Sequence, residues 1–339
     1  MLSLPDIQSS NSRIASALPP GLVAVFVGAT SGIGETTLKQ FAKHTRQPHA
    51  YFVGRSQEAG DRIAAECKAL NSDGQYIFVK ADTSLIHTVD DVCRDIKSKE
   101  KAVNLLFLST GTLLGGTKTS EGLHYIAALV TYSRTRFIVN LLPLLQQATA
   151  LRRVVSVFAA GKEGPVDTSD FQGWKVPILS QRGQASSLVT LSLEALAKKA
   201  PDVSFIHDFP GPVKTNLVRG GEGAAIYVLN VVFKVIGPLV NTPIQESGER
   251  HLFLATSARY PAGMSGDATS GVPMTGGVEL ARGTNGKSGS GVYSVDQDGE
   301  SAGPKMEELL TKLRKEGVVE KMWKDTEEHF KRITGLEAA

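Results

Sequence analysis

The stretch Leu22-Val-Ala-Val-Phe-Val-Gly-Ala-Thr-Ser-Gly-Ile-Gly-Glu35 constrains this chain more than any other. Residues 22–27 are apolar and rich in β-branched side chains, the pattern of a parallel strand buried on both faces. Gly28, Gly32 and Gly34 form a turn, and Glu35 to Lys43 then has amphipathic helical spacing. A strand, a glycine turn and a helix start together present free backbone N–H groups and a positive helix end to a phosphate. Glycine is required where the backbone turns sharply and a ligand approaches without a Cβ in its way. Gly28, Thr30, Ser31, Gly32, Ile33 and Gly34 are therefore the candidate contacts to a phosphate-bearing ligand.

The remaining chain reads as alternating strands and helices: strands at His49–Val53, Gln75–Lys80, Val103–Leu108, Arg153–Phe158 and Val203–His207, with helical patterns between them. That order predicts an α/β fold, a doubly wound parallel sheet with helices on both faces. No linker or repeat divides the 339 residues, so 21–339 is expected to be one domain. Residues 1–20, with Ser, Asn and a tandem Pro, read as a loose N-terminal extension rather than a signal peptide. The net charge of +3 and the lack of a basic stripe with interleaved aromatics argue against a nucleic-acid partner. Cys67 and Cys93 have no metal-ligand spacing and suit reduced, partly buried thiols of a cytosolic protein.

The spacing Gly-x-x-x-Gly-x-Gly directly after the first strand resembles the short-chain dehydrogenase/reductase family, and the likeness runs to about residue 260. It implies a Rossmann-type NAD(P)-binding domain. In such a unit the residue ending the second strand faces the adenosine ribose. Arg55 stands there in place of an acid and would meet a 2′-phosphate. A charge-assisted hydrogen bond contributes roughly 1.5–3 kcal/mol, a ten- to hundredfold preference for NADP(H). The resemblance also places Asp82 against the adenine amino group, although Asp82 or Ser84 could equally cap the helix running to Lys99. Ser109-Thr110-Gly111 stands where the family writes Asn-Ala-Gly, so Ser109 and Gly111 are implied beside the adenine ribose. Pro210-Gly211-Pro212-Val213-Lys214-Thr215 matches Pro-Gly-x-Val-x-Thr and implies that Pro210, Gly211, Val213 and Thr215 serve the nicotinamide end.

The proton-transfer half of the family's site is not legible. Aligning the neighbouring motifs puts Val130 at the family's Asn, Ala159 at its Ser, and Leu179 and Gly183 at its Tyr and Lys. No tyrosine occurs between Tyr132 and Tyr227 in any register. Tyr76 and Lys80 have the right spacing but lie in a strand, where residues four apart are separated by roughly 13 Å. No catalytic residue is therefore assigned. Lys162 and Glu163 are the nearest ionisable pair to the vacant serine place, competing with a solvated turn; Ser133 shares a helical face with Val130. Ser156 reads as a half-buried strand serine. His207 and Asp208 are tempting as acid and base, against a packed histidine at a strand end. Restoring Tyr, Lys and Ser by Leu179→Tyr, Gly183→Lys and Ala159→Ser is expected to be structurally tolerable.

Residues 224–240 are apolar but interrupted by Asn230, Lys234 and Pro238. A lid (about 224–243) over an apolar small-molecule substrate is the favoured reading, with membrane-surface contact as the alternative. The helix Ile244–Ala255 resumes the core, Gly291–Val295 suits a last strand, and 306–315 and 320–333 are helical, with Asp325, Glu327, Glu328 and Lys331 as a solvated face. The resemblance implies a homodimer through the long helix after Thr119 and a fungal, secondary-metabolism-like branch. Three functions remain: an NADP(H)-binding oxidoreductase, a non-redox isomerase, cyclase or dehydratase, and a silent NADP-binding partner.

Overall fold

The computed structural model describes residues 2–112, 115–213, 242–264 and 271–338, without the side chains of 178 and 179. Seven parallel strands form one sheet in the order β3-β2-β1-β4-β5-β6-β7. They are β1 Val23–Val27, β2 His49–Gly54, β3 Gln75–Lys80, β4 Leu105–Leu108, β5 Arg153–Val157, β6 Ser204–Asp208 and β7 Val292–Val295. Strand order reverses between β1 and β4, which opens a crevice at the carboxyl edge of the sheet. This is the doubly wound α/β architecture expected from the alternating pattern. The central strands are buried along their lengths, which is why they read as continuous apolar runs.

The helices sort onto two faces. On one, α3 (Gly32–His44), α4 (Gln57–Leu70) and the helix Ile244–Thr256 pack through Leu38, Phe41, Ile63, Leu252 and Phe253 onto Phe26, Phe52 and Phe107. On the other, α5 (Ile86–Lys99), α7 (Ser133–Gln147) and α8 (Ile178–Lys199) enclose Val25, Leu106, Val154 and Phe205. The N-terminal extension is not loose: α1 (Leu4–Ser12) and α2 (Ile14–Ala17) dock on the first face, with Ile7, Ile14 and Leu18 in the core. Asn11 fixes them by donating to the Glu249 carbonyl at 3.0 Å and carboxylate at 2.6 Å. The Ser-rich composition concealed three apolar positions at helical spacing.

The long helix after Thr119 is broken into a turn, α6 (Tyr125–Ala127), a π-helical segment Ala128–Tyr132, and α7. Neither Asp82 nor Ser84 caps α5; the cap residue is Leu85, and Asp82 accepts from the Ser84 backbone and hydroxyl instead. The free N–H groups of Ile86 and His87 donate to the Glu121 carboxylate at 2.6 and 3.0 Å, a long-range cap that local sequence cannot show.

Two C-terminal helices, Pro304–Lys315 and Val318–Thr334, add an outer layer. Met306, Leu310, Leu313 and Met322 pack on Leu188 and Leu191 of α8. Of the expected solvated face, Glu328 and Lys331 are exposed, but Asp325 turns inward and accepts from the Tyr132 hydroxyl at 2.6 Å. Burial, then the Asp325 charge, pushes the Tyr132 phenol well above its usual range. Arg136 clamps the end of the chain: it pairs with both oxygens of buried Asp90 at 2.6 Å and donates to the carbonyls of Leu336 and Glu337. Removing one partner of a buried pair strands the other charge. Asp90→Ala should therefore cost about 3–5 kcal/mol in urea unfolding, and a loss under 1 kcal/mol would show that the clamp is not structural.

Candidate functional site

The glycine turn lies at the carboxyl end of β1 and is held by close contacts a side chain would break. Gly28 has φ +85°, and a Cβ there would stand 2.8 Å from the Thr110 backbone nitrogen. One on Gly34 would stand 2.6 Å from the Gly28 carbonyl oxygen and 2.5 Å from Ser109 Oγ. Gly32 opens α3 at φ +62°, Ile33 packs on the core, and Ser31 caps the helix with extended backbone and no side-chain hydrogen bond to it. The first N–H groups of α3 are thus left without a side-chain acceptor, as a phosphate site requires. Thr30 lies against Gly54, where a Cβ would collide with its side chain, so the end of β2 and Arg55 adjoin the turn. Arg55 is exposed and reaches the Tyr125 hydroxyl at 3.2 Å.

Ser109 donates to the Val27 carbonyl at 3.1 Å, which binds the end of β4 to the turn, and Gly111 follows it half-buried. Across the crevice, Gly211 has φ +70° and packs against Gln297 after Pro210; Val213 bridges in parallel to Thr242. Thr215 and the 224–240 run lie outside the described residues. The sequence-predicted cofactor contacts that are described therefore gather at one edge of the sheet. A nicotinamide dinucleotide fits this cradle: the uncapped N–H groups of α3 would take its pyrophosphate, and Arg55 would lie toward its ribose.

Ala159 and Val130, which the resemblance aligns with the family's Ser and Asn, are both buried, Val130 in the π-helical segment. Gly183 faces Gly164 backbone to backbone: a Cβ on Gly183 would lie 3.2 Å from Gly164 Cα, and Gly164 N–H donates to the Gly183 carbonyl at 3.0 Å. The loop after β5 thus lies in tight contact with position 183, and Gly183→Lys requires that loop to shift by a few tenths of an ångström.

Lys162 and Glu163 do not act as a pair. Lys162 is exposed, with Nζ 5.4 Å from the centre of the Phe209 ring, and Arg182 Cζ lies 5.0 Å from the same ring. Glu163 turns inward, its side chain fully enclosed, so the solvated-turn reading fails for it. Its Oε1 accepts from Thr190 and Ser294, each at 2.8 Å, and lies 3.6 Å from His207 Nδ1. Burial alone would raise the carboxyl, but His207 and the Ser294 hydroxyl hold it below its usual range.

His207 is consumed structurally: Nε2 accepts the Ala159 N–H at 3.2 Å, Nδ1 meets Thr190 Oγ1 at 2.8 Å, and its ring stacks on Phe158. Asp208 points to the opposite face and pairs with His251 Nε2 at 2.9 Å, so the two neighbours cannot serve as acid and base to each other. Ser133 is fully buried in α7, its hydroxyl without a hydrogen-bond partner among the described residues. Ser156, expected to be half-buried, is buried and accepts from Arg134 Nη1 at 2.7 Å.

Arg134 is the residue that sequence reasoning missed. It lies in the first turn of α7, 3% exposed, and its Nη2 also donates to the Thr110 carbonyl. Burial pushes the guanidinium down to about 9, which still leaves it charged at neutral pH. The available signal was the polar run Ser133-Arg-Thr-Arg136 in a segment otherwise patterned for burial.

A family model described as short chain dehydrogenase matches residues 22–150. Oxidoreductase andH of Emericella variicolor is 35% identical over 339 residues, covering 99% of this chain and 98% of that protein. A short-chain dehydrogenase/reductase of Stachybotrys chartarum is 29% identical over 95% of this chain and 96% of that protein. Among solved structures, L-sorbose reductase of Gluconobacter frateurii, complexed with NADPH and L-sorbose, aligns with TM-score 0.54 at 18% identity, over 70% of this chain and 91% of that one. The fold and the crevice at the strand switch define a nucleotide-binding α/β protein. The chain belongs to the short-chain dehydrogenase/reductase family.

The Gly164–Gly183 contact can be tested directly. Gly183→Lys should destabilise the protein by about 1–3 kcal/mol in urea, the usual cost of overpacking. Gly183→Ala should show most of that loss, because the first side-chain carbon already makes the contact. Parental stability in both variants would show that the loop yields freely.

Proposed function

We propose that the protein is an NADP(H)-dependent oxidoreductase acting on a small apolar metabolite in secondary metabolism, without the family's usual Asn-Ser-Tyr-Lys set. The carrying observation is the contrast between the two halves of the site. Gly28, Gly34 and the uncapped start of α3 retain a dinucleotide cradle. The oxidoreductase names of its fungal relatives support the redox reading. When bound, the nicotinamide would supply or accept a hydride; this chain would orient it through Ser109, Gly111, Pro210, Gly211 and Val213. Arg55, exposed beside the turn and without an acid in the ribose position, supports NADP(H) over NAD(H).

The backbone contact at Gly183 favours a second reading, a non-redox isomerase, cyclase or dehydratase that holds the cofactor structurally. Positioned general acid catalysis typically contributes about 10²–10⁴-fold, and no group replacing the family's tyrosine is identified. A silent NADP-binding partner protein is the remaining reading. Pairing of two copies through the long helix after Thr119, implied by the family resemblance, would require displacing Phe330 of the C-terminal helix from Ala127, Ala128 and Tyr132. Among the described residues no helix is long and apolar enough to cross a membrane.

NADPH should bind at least about tenfold tighter than NADH, from the strength of one charge-assisted hydrogen bond, and Arg55→Ala should remove most of that difference. Calorimetry with both cofactors checks this, and equal affinities in the parent protein would overturn the cofactor assignment. Turnover of NADPH with a carbonyl substrate at around 1 s⁻¹ or faster would select the oxidoreductase over both alternatives.

A further inference from the structure

We propose that the substrate carries a carboxylate, held at the carboxyl edge of β5 and β6 by Lys162 and Arg182 over Phe209, with Arg134 over the neighbouring Phe158 ring. The proposal rests on reading this edge as the substrate side of an oxidoreductase, and deepens that reading by naming the substrate's charged group.

The first observation is a buried charge without an opposite. Arg134 places Nη1 on Ser156 and Nη2 on Thr110, while Nε has no hydrogen-bond partner. No carboxylate pairs with it among the described residues. Arg62, Arg136, Arg152, Arg259, Arg282 and Arg314 each face an acid, whereas buried Arg153, like Arg134, donates to backbone carbonyls. A guanidinium removed from water without a counter-charge is strongly unfavourable, so an anion arriving near it would gain an unusually large interaction.

An independent observation lies at the rim. Lys162 and Arg182 come from different segments, one after β5 and one in α8, and converge on the same ring, Phe209. Neither has an ion pair among the described residues. The adjacent acid cannot neutralise them, because Glu163 is turned inward onto Thr190, Ser294 and His207. Phe158 and Phe209, at the ends of neighbouring strands, carry Arg134 on one ring and the rim cations on the other. An apolar body with one carboxylate matches this arrangement: the rings take the body and the cations take the charge. A carboxylate accepts from lysine and from an arginine fork, which sets the register of the molecule as well as its affinity.

The test uses the full chain, with and without NADPH, and a matched pair of probes, 1-naphthoate and the uncharged 1-naphthamide. Calorimetry should show the acid binding at least tenfold tighter than the amide, with the preference shrinking as salt rises. Lys162→Met combined with Arg182→Met should remove most of the acid-over-amide preference; both residues are exposed, so folding should be preserved. Arg134→Met should weaken acid binding while leaving the melting temperature of the ligand-free protein unchanged or raised, because it removes an uncompensated charge. Equal affinities for acid and amide, binding of neither included, would overturn the proposal, as would full preference in the double variant. A lower melting temperature with intact preference in Arg134→Met would make that residue a strut and overturn its part. Acid preference without NADPH binding would instead retain this proposal and remove the cofactor assignment.

Discussion

The closeness of α3 to the ends of β1 and β4 is the constraint on which the rest depends. A single methyl group on Gly34 would stand within 2.6 Å of both the Gly28 carbonyl oxygen and Ser109 Oγ. No side-chain rotation relieves a clash that begins at Cβ and meets backbone. The helix can therefore start directly against the strands, with its uncapped N–H groups at the crevice where strand order reverses. Ser109 then ties β4 to the turn, and Gly54 admits Thr30 from the other side. Three strand ends are set by contacts that only small residues permit, and Arg55 is presented at the margin of the cradle they form.

What the sequence made legible follows from which interactions are local. The central strands β1 and β4 were readable because they are buried on both faces and so appear as apolar runs. The glycine turn was readable because its requirement is steric and confined to seven residues. The N-terminal helices were not, since their stability comes from docking Ile7, Ile14 and Leu18 on a helix more than two hundred residues away. The Glu121 cap of α5 and the Tyr132–Asp325 bond were hidden for the same reason. A polar residue's partner is invisible when it lies far along the chain.

The candidate acid–base residues show a different kind of limit. His207 and Asp208 are neighbours in sequence, but strand alternation sends them to opposite faces, and each finds a buried partner there. That outcome was available from period-two geometry alone. Lys162 and Glu163 are also adjacent, yet they follow a strand end where no fixed period applies. Their separation into an outward cation and an enclosed carboxylate depends on Ser294 of β7, whose place beside β6 is a long-range fact. Arg134 was overlooked because a charged residue in an apolar helix is ordinarily assumed to reach water or an acid. Here the described residues give it neither.

Glycine permits close backbone packing at both halves of the site. At Gly28 and Gly34 it lets the start of α3 approach the ends of β1 and β4. At Gly164 and Gly183 it lets two backbones meet. On the proposed alignment the lysine place is therefore tightly packed, and a side chain there must displace the loop after β5. Any charge that develops on a substrate must be met by groups that remain at this edge. Those are cations from α7, α8 and the loop after β5, because the nearest carboxylate is already committed to the interior. A fixed positive field of this kind stabilises an anion in ground and transition states alike unless the anion grows during reaction. It can hold an acidic substrate in register, but it cannot replace a positioned proton donor. Recognition and proton transfer would then rest on different residues.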